Sequence, residues 1–184
     1  MEKDFSFIID LDGVIIDSIG FWQELANGYN LDDLSFYDGL KKIDELNKAK
    51  LSKKIIKTCI DFYSKEANLC IGVNEFLAKF KAYKKCIYTA SPFAKLVLKR
   101  FDILDEFAFI QDERKYLKTT QIALKTCMNK LNTNKFILID DSLKIIDLAN
   151  KNDIFSIGIN CENAKINIKN IGELNEKDIK HSWK

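Results

Sequence analysis

The stretch "FSFIIDLDGVIIDS", Phe5 to Ser18, decides the fold: an apolar run ends in two carboxylates, Asp10 and Asp12, with Gly13 directly behind them. An Asp-Gly hairpin turn accounts for Asp12 and Gly13, because both residue types tolerate the positive φ of such turns. It leaves Asp10 without a purpose, since no turn needs a second carboxylate at the last position of a strand. A calcium loop of the EF-hand type fails as well, because its glycine falls later in the pattern and helices flank it. Two like charges placed side by side call for a cation.

Further along, similar runs rich in β-branched and aromatic residues recur: "KCIYTA" ending at Ala90, "KFILI" leading to Asp140, "DIFSIGI" ending at Ile159, and a weaker "FAFIQ" from Phe107. They are continuously apolar rather than alternating, which suits strands covered on both faces of a parallel sheet. Between them the spacing predicts helices over Phe93–Phe101, Thr120–Leu131 and Leu143–Asn150; in the middle one Ile122, Leu124, Cys127, Met128 and Leu131 approximate one stripe. Strand and helix in alternation predict an α/β fold, a doubly wound, Rossmann-like parallel sheet. From about Ser18 to Lys84 the alternation stops, and stretches such as "FWQELANGY", "LSFYDGLKKIDELNKA", "KKIIKTCIDFYSKEA" and "VNEFLAKFKAY" read as helical. That is too long for a crossover. The expected division is an α/β core of residues 1–17 and 84–184 with a small α-helical cap inserted at 18–83. The tail after Asn160 is ambiguous.

At 184 residues and 47% hydrophobic the chain has room for one domain with a full core and a small insertion. Its 29 basic and 27 acidic residues leave a net charge of +2, which argues against a nucleic-acid partner and for a small molecule. The five cysteines form no CxxC pair and sit among apolar neighbours, as reduced thiols of a cytoplasmic protein do. No apolar stretch approaches the roughly 18 residues that span a bilayer, so no membrane association is expected.

In open α/β sheets ligands collect at the carboxyl ends of the strands. Three strands here end in reactive groups: Asp10, then Thr89 and Ser91, then Asp140 and Asp141. Each has an ordinary structural use by itself. Ser91 ahead of Pro92 makes a helix N-cap with proline at the first position, and Asp141 or Ser142 can cap the helix at Leu143. Capping does not explain their joint placement at three strand ends.

On these residues the chain resembles the haloacid dehalogenase superfamily of phosphotransferases, over Phe5–Ile19 and from Lys84 to about Ile159. "DLDGVIIDS" is similar to that family's first motif, "IYTAS" to its second and "ILIDDS" to its fourth. The third motif is a lysine ahead of a helix; Lys118, just before a helix capped by Thr119 or Thr120, matches best, with Lys115 in reserve. Many relatives carry a further acid or Asn where this chain has Ile145.

The resemblance implies a magnesium-dependent phosphomonoester hydrolase acting on a small phosphorylated metabolite. Asp10 would be the nucleophile that forms an aspartyl phosphate, and Asp12 the general acid and base. Mg2+ would be held by Asp10, Asp141 and the backbone carbonyl of Asp12, with Asp140 as an alternate or outer ligand. Thr89, Ala90 and Lys118 would bind the phosphate. Counter-charge is obligatory, since two unit charges about 4 Å apart cost about 4 kcal/mol at an effective dielectric near 20. A sugar phosphomutase of the same family would use the same residues and return the phosphate to its substrate. A receiver-like switch domain also combines such groups, but its acidic pair lies on the first strand and its acceptor Asp later, the reverse of the order here.

Overall fold

The computed structural model describes residues 5–29, 49–113 and 116–182. Lys115 and most of the expected helix over "LSFYDGLKKIDELNKA" lie outside these residues. The strands are β1 Ser6–Ile9, β2 Ile16–Asp17, β3 Asn68–Leu69, β4 Lys85–Tyr88, β5 Phe109–Gln111, β6 Phe136–Asp140, β7 Phe155–Ile159 and β8 Ile166–Ile168. Six of them form one parallel sheet in the order β5-β4-β1-β6-β7-β8.

Successive residues of β1 explain why its sequence is apolar without alternation. Phe7 and Ile9 enter one buried cluster, with Phe76, Phe80 and Ile139; Ile8 enters another on the opposite face, with Leu124, Cys127, Leu138 and Ile146. A strand buried on both faces has no polar side to show. On the first face the helix Val73–Lys79 brings Phe76 and Phe80 edge-on to Phe7, with ring centroids 5.2 and 5.0 Å away. The second face is covered by the helices Gln121–Leu131 and Leu143–Asn150.

The chain adds β4 and β5 to one side of β1 and then returns to place β6, β7 and β8 on the other. The order therefore reverses at β1, and such a switch point opens a crevice at the carboxyl end of that strand. Asp10 is the next residue.

Helices occupy the expected positions after Pro92, after Thr120 and after Ser142. The segment expected to be helical throughout is not. Among the described residues its helices are Ile19–Tyr29, Ala49–Asp61 and Val73–Lys79, with a π-helical turn at Phe62–Glu66, and β3 pairs antiparallel with β2. Two-residue strands carry no readable period, and their partners are remote in sequence. The ambiguous tail holds β8, a 3-10 turn at Ile171–Glu173 and the helix Glu176–Ser182, and it sends Ile171, Leu174 and Ile179 into the core.

Candidate active site

Ile9 of β1 lies between Ile87 of β4 and Ile139 of β6, and the Asp10 amide still donates to the Ile139 carbonyl at 2.9 Å. Beyond that bond the chain leaves the sheet, so the Asp10 side chain stands at the mouth of the crevice. Its Oδ1 accepts from the Leu11 amide at 2.7 Å and its Oδ2 lies 2.6 Å from Lys118 Nζ. Asp140, fully buried at the end of β6, places Oδ2 2.8 Å from the same ammonium and takes the Ser142 amide on Oδ1 at 2.9 Å. Asp141 follows at the strand end. Oxygens of Asp10, Asp140 and Asp141 lie within 4.8 Å of one another.

Gly13 makes room for this arrangement. Its φ is +78°, and a Cβ there would collide with Oδ2 of Asp141. Only glycine serves both needs.

The electrostatics follow from burial. Burial first, then the charges of Asp140 and Asp141, push the Asp10 carboxyl well above the usual range against the pull of Lys118. Burial and Asp140 likewise lift Asp141 to about 6. Burial opposes the Lys118 charge, but Asp10 and Asp140 outweigh it and hold the ammonium protonated. With all three ionised, three carboxylates against one ammonium leave an excess of two negative charges among the described residues. Clustered hard oxygen donors with that excess fit Mg2+. Asp10, Asp140 and Asp141 each offer one oxygen to such an ion.

Asp12 sits in different company. The loop folds back at once, with the Ile15 and Ile16 amides on the Leu11 carbonyl at 2.9 and 2.8 Å and the Gly13 amide on the Ile16 carbonyl at 2.8 Å. The Asp12 carboxylate is not among the three grouped within 4.8 Å of one another. Ser18 Oγ donates to its Oδ1 at 2.6 Å, and the Tyr63 hydroxyl donates to the same oxygen. Burial raises its pKa, although the hydrogen bonds from Ser18 and Tyr63 oppose the rise.

Thr89, directly after β4, is buried and accepts the Ser91 amide on Oγ1 at 3.0 Å. That bond uses a lone pair and leaves the Thr89 O–H to point elsewhere. Ala90 is half-buried in the turn that follows. Ser91 is not a helix cap: its Oγ accepts from the Phe93 amide at 3.3 Å, and the helix begins only at Ala94. Lys118 is 8% exposed, fixed by its amide on Glu113 Oε1 at 2.8 Å and by the Tyr88 hydroxyl on its carbonyl. The helix behind it is capped by Thr120, whose hydroxyl accepts from the Ala123 amide. Ile145 is buried in the second core cluster, so that position adds no further carboxylate to the three. Tyr63 is the member of the site that sequence patterns do not reveal, since 51 residues separate it from Asp12.

No family model matches this sequence, and no curated protein does. Solved structures do. A β-phosphoglucomutase from Clostridium difficile superposes with a TM-score of 0.76 at 24% identity, covering 97% of this chain and 96% of its own. A HAD hydrolase of family IA, variant 3, from Entamoeba histolytica gives 0.76 at 14% identity, covering 96% and 98%. A HAD phosphatase from Thermococcus onnurineus gives 0.68 at 16%, covering 95% and 97%. By its six-stranded parallel sheet and the order of its strands and helices, this chain has the fold of the haloacid dehalogenase superfamily.

Proposed function

We propose that this chain is a magnesium-dependent phosphomonoester hydrolase that acts on a small phosphorylated metabolite through an aspartyl phosphate on Asp10. The observation that carries this proposal is the convergence of Asp10, Asp140 and Asp141 within 4.8 Å of one another, with the first two ion-paired to the single ammonium of Lys118.

The site holds two kinds of carboxylate. Asp10 is the nucleophile: its Oδ forms the new bond to phosphorus as the bond to the leaving oxygen breaks. Asp12 gives its proton to that leaving oxygen. In the second half Asp12 takes a proton from water, the water oxygen attacks phosphorus, and Asp10 is released. Lys118 and the Thr89 hydroxyl, with the backbone at Ala90, neutralise and orient the equatorial oxygens of the transferring group. Asp10, Asp141 and the Asp12 carbonyl would hold Mg2+, with Asp140 as an alternate or outer ligand, and the ion would supply counter-charge for an anion that must approach an anion.

Within residues 18–83 the helices Ile19–Tyr29 and Ala49–Asp61 serve as the cap that excludes water, while Val73–Lys79, packed on Phe7 of β1, works with residues 1–17 and 84–184 as the catalytic core. The test is hydrolysis of p-nitrophenyl phosphate by the purified chain with Mg2+. Asp10→Asn is expected to abolish it; full activity in that variant overturns the assignment.

A second reading, sugar phosphomutase, is favoured by the likeness to the Clostridium difficile β-phosphoglucomutase. Incubation with a hexose 1-phosphate separates the two. Free phosphate supports the hydrolase, and an isomerised sugar phosphate the mutase.

A further inference from the structure

We infer that Tyr63 is a positioning residue for Asp12, fixing which carboxylate oxygen carries the proton and tying the helical segment to the acid; this rests on the role of Asp12 proposed above. Tyr63 is fully buried in the π-helical turn Phe62–Glu66, an insertion that re-aims side chains and is frequent at functional sites. Four neighbours fix it. Its ring stacks on Phe93 at 5.3 Å and 21° and meets Phe62 edge-on at 5.1 Å. Arg100 Nη1 reaches its carbonyl at 3.4 Å, and Trp22 Nε1 donates to its hydroxyl at 2.9 Å.

The Trp22 bond sets the direction of the chain. With an N–H donor on its oxygen, the Tyr63 hydroxyl turns its own proton toward Asp12 Oδ1. Ser18 Oγ donates to that same Oδ1 at 2.6 Å. An oxygen that accepts from two hydroxyls is poorly placed to hold a proton, so the proton of Asp12 belongs on Oδ2. Phe93 and Arg100 belong to the chain that follows Thr89, whereas Trp22 lies on the helix Ile19–Tyr29. Tyr63 therefore links the helical segment, the phosphate-binding turn and the acid through one side chain. A tyrosine kept only for packing would need the ring but not the hydroxyl.

The experiment compares p-nitrophenyl, phenyl and 4-methoxyphenyl phosphates with Mg2+, because a general acid matters more as the leaving oxygen becomes more basic. Tyr63→Phe keeps the ring. It is expected to lower kcat on p-nitrophenyl phosphate by about threefold and on phenyl phosphate by at least about tenfold more, steepening the leaving-group dependence as Asp12→Asn does. Trp22→Phe, which removes a donor that serves both the Tyr63 hydroxyl and Asp12, is expected to shift the series the same way by a smaller factor. Equal losses on all three esters, or an unchanged series, overturn the inference while leaving the hydrolase intact. A wild-type chain inactive on every ester, or a fully active Asp10→Asn, overturns the hydrolase reading and the inference with it.

Discussion

Asp10 and Asp12 stand two residues apart and live in opposite surroundings. Asp10 shares a crowded pocket with two carboxylates and one ammonium, where charge answers charge at 2.6 and 2.8 Å. Asp12 is held by neutral hydroxyls, those of Ser18 and Tyr63, on one oxygen. Burial raises the pKa of both. The consequences differ because the partners differ. In the first pocket excess negative charge calls for a cation, which would keep Asp10 ionised and nucleophilic. In the second, neutral donors set an orientation and leave a protonated acid affordable near neutrality. Two similar carboxylates are thus assigned to unlike tasks by what surrounds them.

The sharpest way to break this contrast is to neutralise each acid in turn. Asp10→Asn is expected to cut turnover by more than roughly 10³-fold on every aryl phosphate alike, since no bond to phosphorus can form. Asp12→Asn is expected to lose on the order of 10²–10⁴-fold on phenyl phosphate and distinctly less on p-nitrophenyl phosphate, whose leaving oxygen needs little help. Kinetics across the ester series decide it. Parallel losses in the two variants would show that the acids share one role.

Much of the first pocket was legible before any coordinates. Asp10, Thr89, Asp140 and Asp141 terminate apolar runs, and a parallel sheet brings such termini together whatever the details of packing. Lys118 is marked by the helix start at Thr120. The second pocket was not legible. Tyr63 and Asp12 are 51 residues apart, and the π-helical turn that aims Tyr63 has no signature in the hydrophobic period. The same limit hid the β2 and β3 ribbon and the edge strand β8, whose few residues alternate too briefly to register. Strand ends that carry chemistry are written locally. Contacts made by the inserted segment are not.

A weaker blow falls on the geometry that keeps the pockets apart. Gly13→Ala strains a backbone at φ +78° and drives a methyl into Asp141 Oδ2. The expected cost is about 2–3 kcal/mol, a fall in Tm of roughly 4–12 °C for a chain of this size. Displacing Asp141 also weakens the proposed magnesium site, so the variant is expected to require more Mg2+ for half-maximal activity while the leaving-group dependence proposed for Asp12 stays as it was. Thermal unfolding and a Mg2+ titration of the ester series measure the two effects separately.

The smallest expected effect isolates the charge excess itself. Asp10 and Asp141 have pKa values raised in the folded chain, Asp141 to about 6, above the roughly 4 of an unfolded aspartate. Between those values the folded state binds more protons than the unfolded one, so stability from this pocket is present at low pH and is lost as pH rises through about 6. Without metal, the pocket should therefore destabilise the chain at about pH 7.5 relative to about pH 5. In the proposed function Mg2+ binds the ionised form and so reverses the loss. The Tm gain on adding Mg2+ is expected to be larger at about pH 7.5 than at about pH 5, by an amount on the order of 1 kcal/mol, or roughly 2–4 °C. Asp141→Asn should flatten this difference, whereas Tyr63→Phe, acting only on the other pocket, should leave it in place. A gain independent of pH would mean that the carboxylates are already balanced and that the two pockets differ less than their partners suggest.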